Sequence, residues 1–227
     1  MRRCSGHRLG GRFRAPHPGY CGCRRLTGSN GARMAPPMSS RRANRHTIVE
    51  STNLADLYGL PLIDWAKIEG LLAEGVSQAP NSGGPDRHTC WLATINRDGS
   101  PHVTGIGALW FEGTFWFETG EQTIKGRNLA RDPRCSLSLA THEFDLVVDG
   151  GAVKVTDPAT VATMADRWRA AGWPASVDES GMALTADYSA PSAGPPPWAV
   201  YRIAPRQAMA LATNGPGGAT RWRFAND

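Results

Sequence analysis

From His88 to Phe224 the apolar residues fall largely at alternate positions, in short runs separated by turn residues. This pattern limits the fold more than any other feature, because a period of two is that of a strand with one buried face. His88 to Asn96 reads as a strand, Arg97-Asp98-Gly99-Ser100 as a tight hairpin turn with Asp-Gly at its centre, and Pro101 to Trp110 as the return strand. Phe111-Glu112-Gly113 turns the chain into an aromatic strand, Thr114 to Thr119. Further strands are expected near Arg134 to Ala140, Asp145 to Val155 and Trp198 to Leu211, with a short closing segment at Thr220 to Phe224. Six or so antiparallel strands with few helices predict a mainly β protein, a β-barrel or sandwich with flanking helices, and not a parallel α/β sheet.

Two longer helices are expected, besides the short basic one described below. Leu60 to Gly75 carries an apolar stripe of Leu62, Trp65, Ile68 and Leu71-Leu72, with Pro61 in the first turn and Gly75 as the stop. Asp157 and Pro158 supply an N-cap and a first-turn proline for a helix reaching about Ala171. Asn81 to Pro85 reads as a loop, and Trp173 to Pro197, rich in Gly, Pro and Ser, as irregular.

Charge divides the chain unevenly. Eleven of the 25 basic residues are arginines within residues 1–49, which contain no Asp or Glu. The remaining 14 face all 20 acidic residues, so the folded part is mildly acidic and the overall net charge of +5 does not argue for nucleic acid. Residues 1–46 are expected to be a disordered basic extension, and 47–227 the single domain. The extension resembles a transit peptide in composition, and it also reads as an over-extended gene start with Met34 or Met38 as initiator. No apolar run approaches a membrane span, and Cys90 and Cys135 sit in strand-like apolar context as small core residues. A cytoplasmic location is expected.

The stretch Thr119 to Ser138, TGEQTIKGRNLARDPRCSLS, carries the chemistry. A strand end, a Gly-containing turn and a short basic helix stopped by Asp132-Pro133 bring N–H groups, a hydroxyl and an ammonium to one helix N-terminus. That combination suits an anion, a phosphate above all, although the same residues alone also describe an exposed basic helix.

In order along the chain, ATINRDGSPHVTGIGALWFEGTFWFETG, EQTIKGRNLARDPRCSLSL and DLVVDGGAVKVTDP resemble the split β-barrel family of pyridoxamine phosphate oxidase, which includes flavin- and deazaflavin-dependent oxidoreductases. The resemblance covers Thr89 to Asp157 and extends more weakly to Phe224. It implies an FMN-binding split barrel, a homodimer with cofactor at the subunit interface, and a hydride transferred to or from a small conjugated substrate. By position it implies that Thr123 and Lys125 hold the cofactor phosphate, with Arg127 and Asn128 as further contacts. Val103, Thr104, Gly105 and Ile106 match the edge that lines the ring, and Thr119 the strand end beside it. Authentic pyridoxamine phosphate oxidases have cations where this chain has Thr104, Leu109 and Ile124. Losing three such contacts argues against vitamin B6 phosphate oxidation itself. The implied cofactor is FMN or the deazaflavin coenzyme F420, whose polyanionic tail would suit a groove of Lys125, Arg127 and Arg131. A non-catalytic flavin- or haem-binding barrel is the alternative.

Hydride transfer is the cofactor's chemistry, so no catalytic side chain is assigned and no metal site is expected among the scattered histidines. His102 and His142 are candidate substrate contacts but read better as surface residues, and Glu143 and Asp145 better as a strand entrance than as an acid–base pair. Trp110, Phe115, Trp116 and Phe117 alternate, so half of them are expected in the core. Trp198, Tyr201 and Trp222 resemble residues that close the family's pocket, with core packing as the competing assignment. Arg221 and Arg223 should face away from Trp222.

Overall fold

The structure, a computed structural model, describes residues 46–75 and 89–225. The chain divides into two units, Met1–Ser39 and Ser40–Asp227, and every described residue lies in the second. The expected extension (apart from residue 46) and the Asn81 to Pro85 loop lie outside the described residues.

Strands β1 (Ile48–Asn53), β2 (Thr89–Ile95), β3 (Pro101–Gly107), β4 (Leu109–Phe111), β5 (Thr114–Thr119), β6 (Arg134–Ala140) and β7 (Phe144–Val155) precede a two-residue pair, β8 (Ser176–Val177) and β9 (Leu184–Thr185). The long β10 (Ala199–Ala212) and β11 (Ala219–Phe224) complete the set. All but β8 and β9 join one antiparallel sheet, in the order β1-β11-β10-β7-β6-β2-β3, with β5 also on β10 and β4 on β5. The branch occurs along β10, whose Ala199–Arg202 half faces β5 and whose Gln207–Leu211 half faces β11. Between the halves the β10–β7 register slips at Pro205, where a residue without an N–H is tolerated at a bulge. Gly150 permits the approach, since a Cβ there would lie 2.2 Å from the Ala204 carbonyl oxygen. The protein is mainly β, a split barrel with flanking helices.

The helices are α1 (Trp65–Ala73), α2 (Ile124–Arg131) and α3 (Pro158–Ala170). The first is shorter than expected. Asp64 caps it, accepting a hydrogen bond from the Ala66 N–H, so Leu60 to Ile63 remain outside the helix. The remaining stripe holds: Trp65, Ile68 and Leu72 are buried. The expected return strand is also interrupted, at Ala108, dividing β3 from β4. The β2–β3 connection is a five-residue loop, 96–100, one residue longer than the expected turn of Arg97 to Ser100. Asn96 N–H closes it onto the Ser100 carbonyl at 2.8 Å, and Gly99 takes a left-handed φ of 85°. The β4–β5 turn is the tight one, Glu112-Gly113, with both residues at positive φ.

Two apolar cores result. One contains Phe115 and Phe117 of β5 with Leu92, Leu137, Leu146, Ile203, Trp222 and, from α1, Trp65. The other lies on the opposite face of β5, where Trp116 meets Val161, Met164, Ala165 and Trp168 of α3. Those α3 residues are spaced i, i+3, i+4, i+7, the stripe of a helix laid on a sheet. The aromatic alternation along β5 thus feeds both cores at once. Trp198 is buried in the second core; Tyr201 and Trp222 are buried in the first. No described helix is long and apolar enough to cross a membrane.

Candidate functional site

Helix α2 begins where β5 ends, and Thr123 organises the junction. Its hydroxyl accepts from the Gly126 N–H at 3.0 Å, donates to the Gly120 carbonyl at 2.8 Å, and lies 3.1 Å from the Thr119 hydroxyl. Thr123 is therefore the N-cap. The helix itself offers no partner to the N–H groups of Ile124 and Lys125, its first two residues. Gly126 is required by close approach, because a Cβ there would meet the Gly120 carbonyl oxygen at 2.4 Å.

Lys125 is the unusual member. Its residue is 2% exposed, its ammonium donates to the Ser192 carbonyl, and it makes no ion pair among the described residues. Burial pulls its pKa below the ordinary lysine value, with the Glu118 charge opposing that shift. A buried cation bonded, among the described residues, to a neutral carbonyl alone is costly and gains from an incoming anion.

Ser192 belongs to a short turn, Pro191–Ala193, that lies over this junction. The Ser192 hydroxyl donates to the Gly105 carbonyl at 2.8 Å, and the Gly120 N–H donates to the Ala193 carbonyl at 2.8 Å. The turn thus joins β3, the end of β5 and α2, and brings Gly105, Thr119, Thr123 and Lys125 together. The other expected residues are distributed differently. Val103 is exposed, whereas Ile106 packs into the first core, as alternation on β3 requires. Thr104, half-buried, falls on the same face as Ile106. Arg127 is exposed and donates to the Gln122 carbonyl. Asn128 is buried, and its amide donates to the Thr94 hydroxyl and the Asn96 side-chain oxygen at 3.1 and 3.0 Å. Arg131 donates to the Ile95 carbonyl. Asn128 and Arg131 thus tie α2 to the β2–β3 hairpin.

Beside the junction lies a cavity of about 550 Å³ that sequence reasoning missed. Leu72 of α1, Gly107 to Trp110, Glu118, Trp168, Trp173 and Ser189 are among its walls. Glu118 lies on the α3 side of β5. One carboxylate oxygen accepts from the Ser189 hydroxyl at 3.1 Å; the other is buried without a hydrogen-bond partner among the described residues. Burial pushes the Glu118 carboxyl up to about 7, against the opposing effects of Ser189 and Lys125. A glutamate alternating with aromatics reads in sequence as a solvent-facing strand residue, so nothing local signals its burial. Cys90 and Cys135 are buried thiols pushed up to about 12, which leaves them protonated and inert.

Residues 83–212 match the family model described as Pyridoxamine 5'-phosphate oxidase. The chain belongs to the pyridoxamine 5'-phosphate oxidase family. This is a family of flavin- and F420-binding, oxidoreductase-like split barrels. Among solved structures, similarity is found to PhzG from Burkholderia lata in complex with tetrahydrophenazine-1-carboxylic acid, at 17% identity, 72% of this chain, 86% of that one and a TM-score of 0.47. A conserved hypothetical protein from Mycobacterium tuberculosis is 23% identical over 66% of this chain and 84% of its own, with a TM-score of 0.43. A putative pyridoxamine 5'-phosphate oxidase from Listeria innocua is 16% identical over 66% and 98% respectively, also at 0.43. Among curated proteins no match to the chain is found.

Proposed function

We propose that the chain is an oxidoreductase that binds FMN or F420 through the phosphate at the N-terminus of α2, at a homodimer interface, and acts on a small conjugated substrate. The observation that carries this reading is the buried Lys125 ammonium, bonded to a neutral carbonyl beside two first-turn N–H groups. A phosphate oxygen offered there is a charged acceptor, and such bonds are about twice as strong as neutral ones. The residues present therefore fit a phosphate. Lys125 supplies charge, the Ile124 and Lys125 N–H groups supply donors, and the capped turn fixes their direction. Ser192 would have to release the ammonium, or share it, as the anion arrives.

The bound flavin or deazaflavin supplies hydride transfer. The protein's part is to hold the phosphate, to present the β3 edge at Val103 to Ile106 toward the ring, and to keep water from the reacting face. No side chain is assigned a proton-transfer role in the hydride step. Titration of the purified protein with FMN and separately with F420, followed by fluorescence, tests the assignment. Micromolar binding of either supports it, and binding of neither at concentrations near a millimolar contradicts it. Turnover with the reduced cofactor then separates an enzyme from a passive carrier.

A further inference from the structure

The carboxyl of Glu118 is out of place in its surroundings. It stands among Trp110, Trp168 and Trp173 in a cavity of about 550 Å³, within the usual range for small-molecule sites. Trp110 is held edge-on to Phe115 at a centroid distance of 4.9 Å, and Trp168 and Trp173 meet at 6.0 Å and 89°. The Trp173 ring is fixed further by its N–H, which donates to the Tyr188 carbonyl at 2.6 Å. Flat, fixed rings favour a flat ligand. Ser189 secures one Glu118 oxygen while the other is buried with no hydrogen-bond partner among the described residues. Such an acceptor is costly to desolvate unless a donor arrives. Among the described residues, the charged and titratable groups around Glu118 are Lys125 from α2, and Glu74 and Tyr188 on the cavity wall. Lys125 partly offsets the Glu118 charge, so a neutral ring with a polar hydrogen suits the site.

We propose that this cavity binds a planar aromatic or heteroaromatic molecule carrying an N–H or O–H, which donates to the unpaired oxygen of Glu118. The inference deepens the functional reading above by giving its substrate class, and rests on that reading only for the word substrate. Because Ser189 and Ser192 belong to one short connection, the same segment holds both Glu118 and Lys125. Ring binding and phosphate binding therefore share a wall.

The test uses the full chain and two fluorescent probes, 2-naphthol and 2-methoxynaphthalene, which differ in the donor hydrogen. At pH about 8.5 the carboxylate form prevails, and 2-naphthol should bind at least about tenfold more tightly, the ratio expected for one hydrogen bond to a charged acceptor. The preference should shrink at pH about 5.5, where the carboxyl is protonated. Glu118→Leu should abolish the preference while retaining 2-methoxynaphthalene. If that variant does not fold, the pH dependence of the wild-type preference is the deciding result. Equal affinities at high pH, a preference surviving Glu118→Leu, or binding of neither probe would overturn the proposal. FMN and F420 titrated in parallel report on the cofactor site. Binding of either without naphthol discrimination counts against the cavity assignment only, and naphthol discrimination with binding of neither counts against the cofactor reading only.

Discussion

The α2 junction and the Glu118 cavity hold opposite charges in contrasting ways. At the junction, the capping bonds come from Thr119 to Gly126, one continuous stretch, with long-range support from Ser192 and Ala193 and, further along α2, from Thr94, Ile95 and Asn96. The cavity is assembled from α1, the β3–β4 junction, β5, α3 and the segment after β9. Lys125 is buried and bonded, whereas one oxygen of Glu118 is buried and unbonded. A local motif can specify its own geometry. A long-range site depends on the whole fold to bring its walls together, and its polar group is left for a ligand to satisfy.

The largest expected effect concerns the unbonded group. With a folded-state pKa near 7 against an ordinary 4.5, Glu118 binds protons more readily in the folded chain than in the unfolded one. Its contribution to stability is therefore fully present below pH about 4.5 and is lost as pH rises through about 7. Glu118→Gln should remove that slope. Denaturant unfolding of both proteins between these limits should show their difference changing by on the order of 3 kcal/mol at most. Parallel pH profiles would mean that the carboxyl is solvated.

Gly126→Ala attacks the local site instead. The added Cβ would meet the Gly120 carbonyl oxygen at 2.4 Å, so the turn must move. A loss of about 2 kcal/mol in unfolding free energy, together with weakened cofactor binding, is expected. Unchanged stability would show that the turn yields readily. Ser192→Ala tests the connection shared by the two regions. Removing the hydroxyl that holds the Gly105 carbonyl should cost about 1 kcal/mol and leave the Lys125 contact, which uses main chain, in place. The smallest effect lies outside both regions. Glu112 adopts a φ of 52° in the β4–β5 turn, so Glu112→Asn should stabilise by about 0.5 kcal/mol, read as a small rise in Tm.

The fold was legible where the side-chain period was regular. Strands β2, β5, β6, β7, β10 and β11 lie close to their expected positions because apolar alternation and turn residues specify them locally. The start of α1 was misplaced since Pro61 and Leu62 extend a helical pattern that Asp64 in fact begins. The β2–β3 turn lies where Asp98-Gly99 and the flanking strand patterns place it, one residue longer because Asn96 closes onto Ser100 and leaves the strand. At the junction, Thr123 and Lys125 are singled out by the family resemblance, since the local residues alone also describe an exposed basic helix. Ser192, some 67 residues from Lys125, is not. Nor is the structural engagement of Asn128, whose partners Thr94 and Asn96 lie on another hairpin.

On the reading proposed above, Lys125 is buried to receive a phosphate and not to support the fold. Titration of FMN and F420 into wild-type protein and Lys125→Met, with Tm measured on the same samples, tests it most directly. The methionine keeps the buried stem and removes the charge. Micromolar binding of one cofactor to the wild type is expected, weakened by about 30-fold or more in the variant, a loss of about 2 kcal/mol from a charge-assisted contact. Tm should change little or rise, since a desolvated cation has been removed. Unchanged cofactor affinity, or a fall in Tm that parallels the loss of binding, would contradict it and make Lys125 a structural residue.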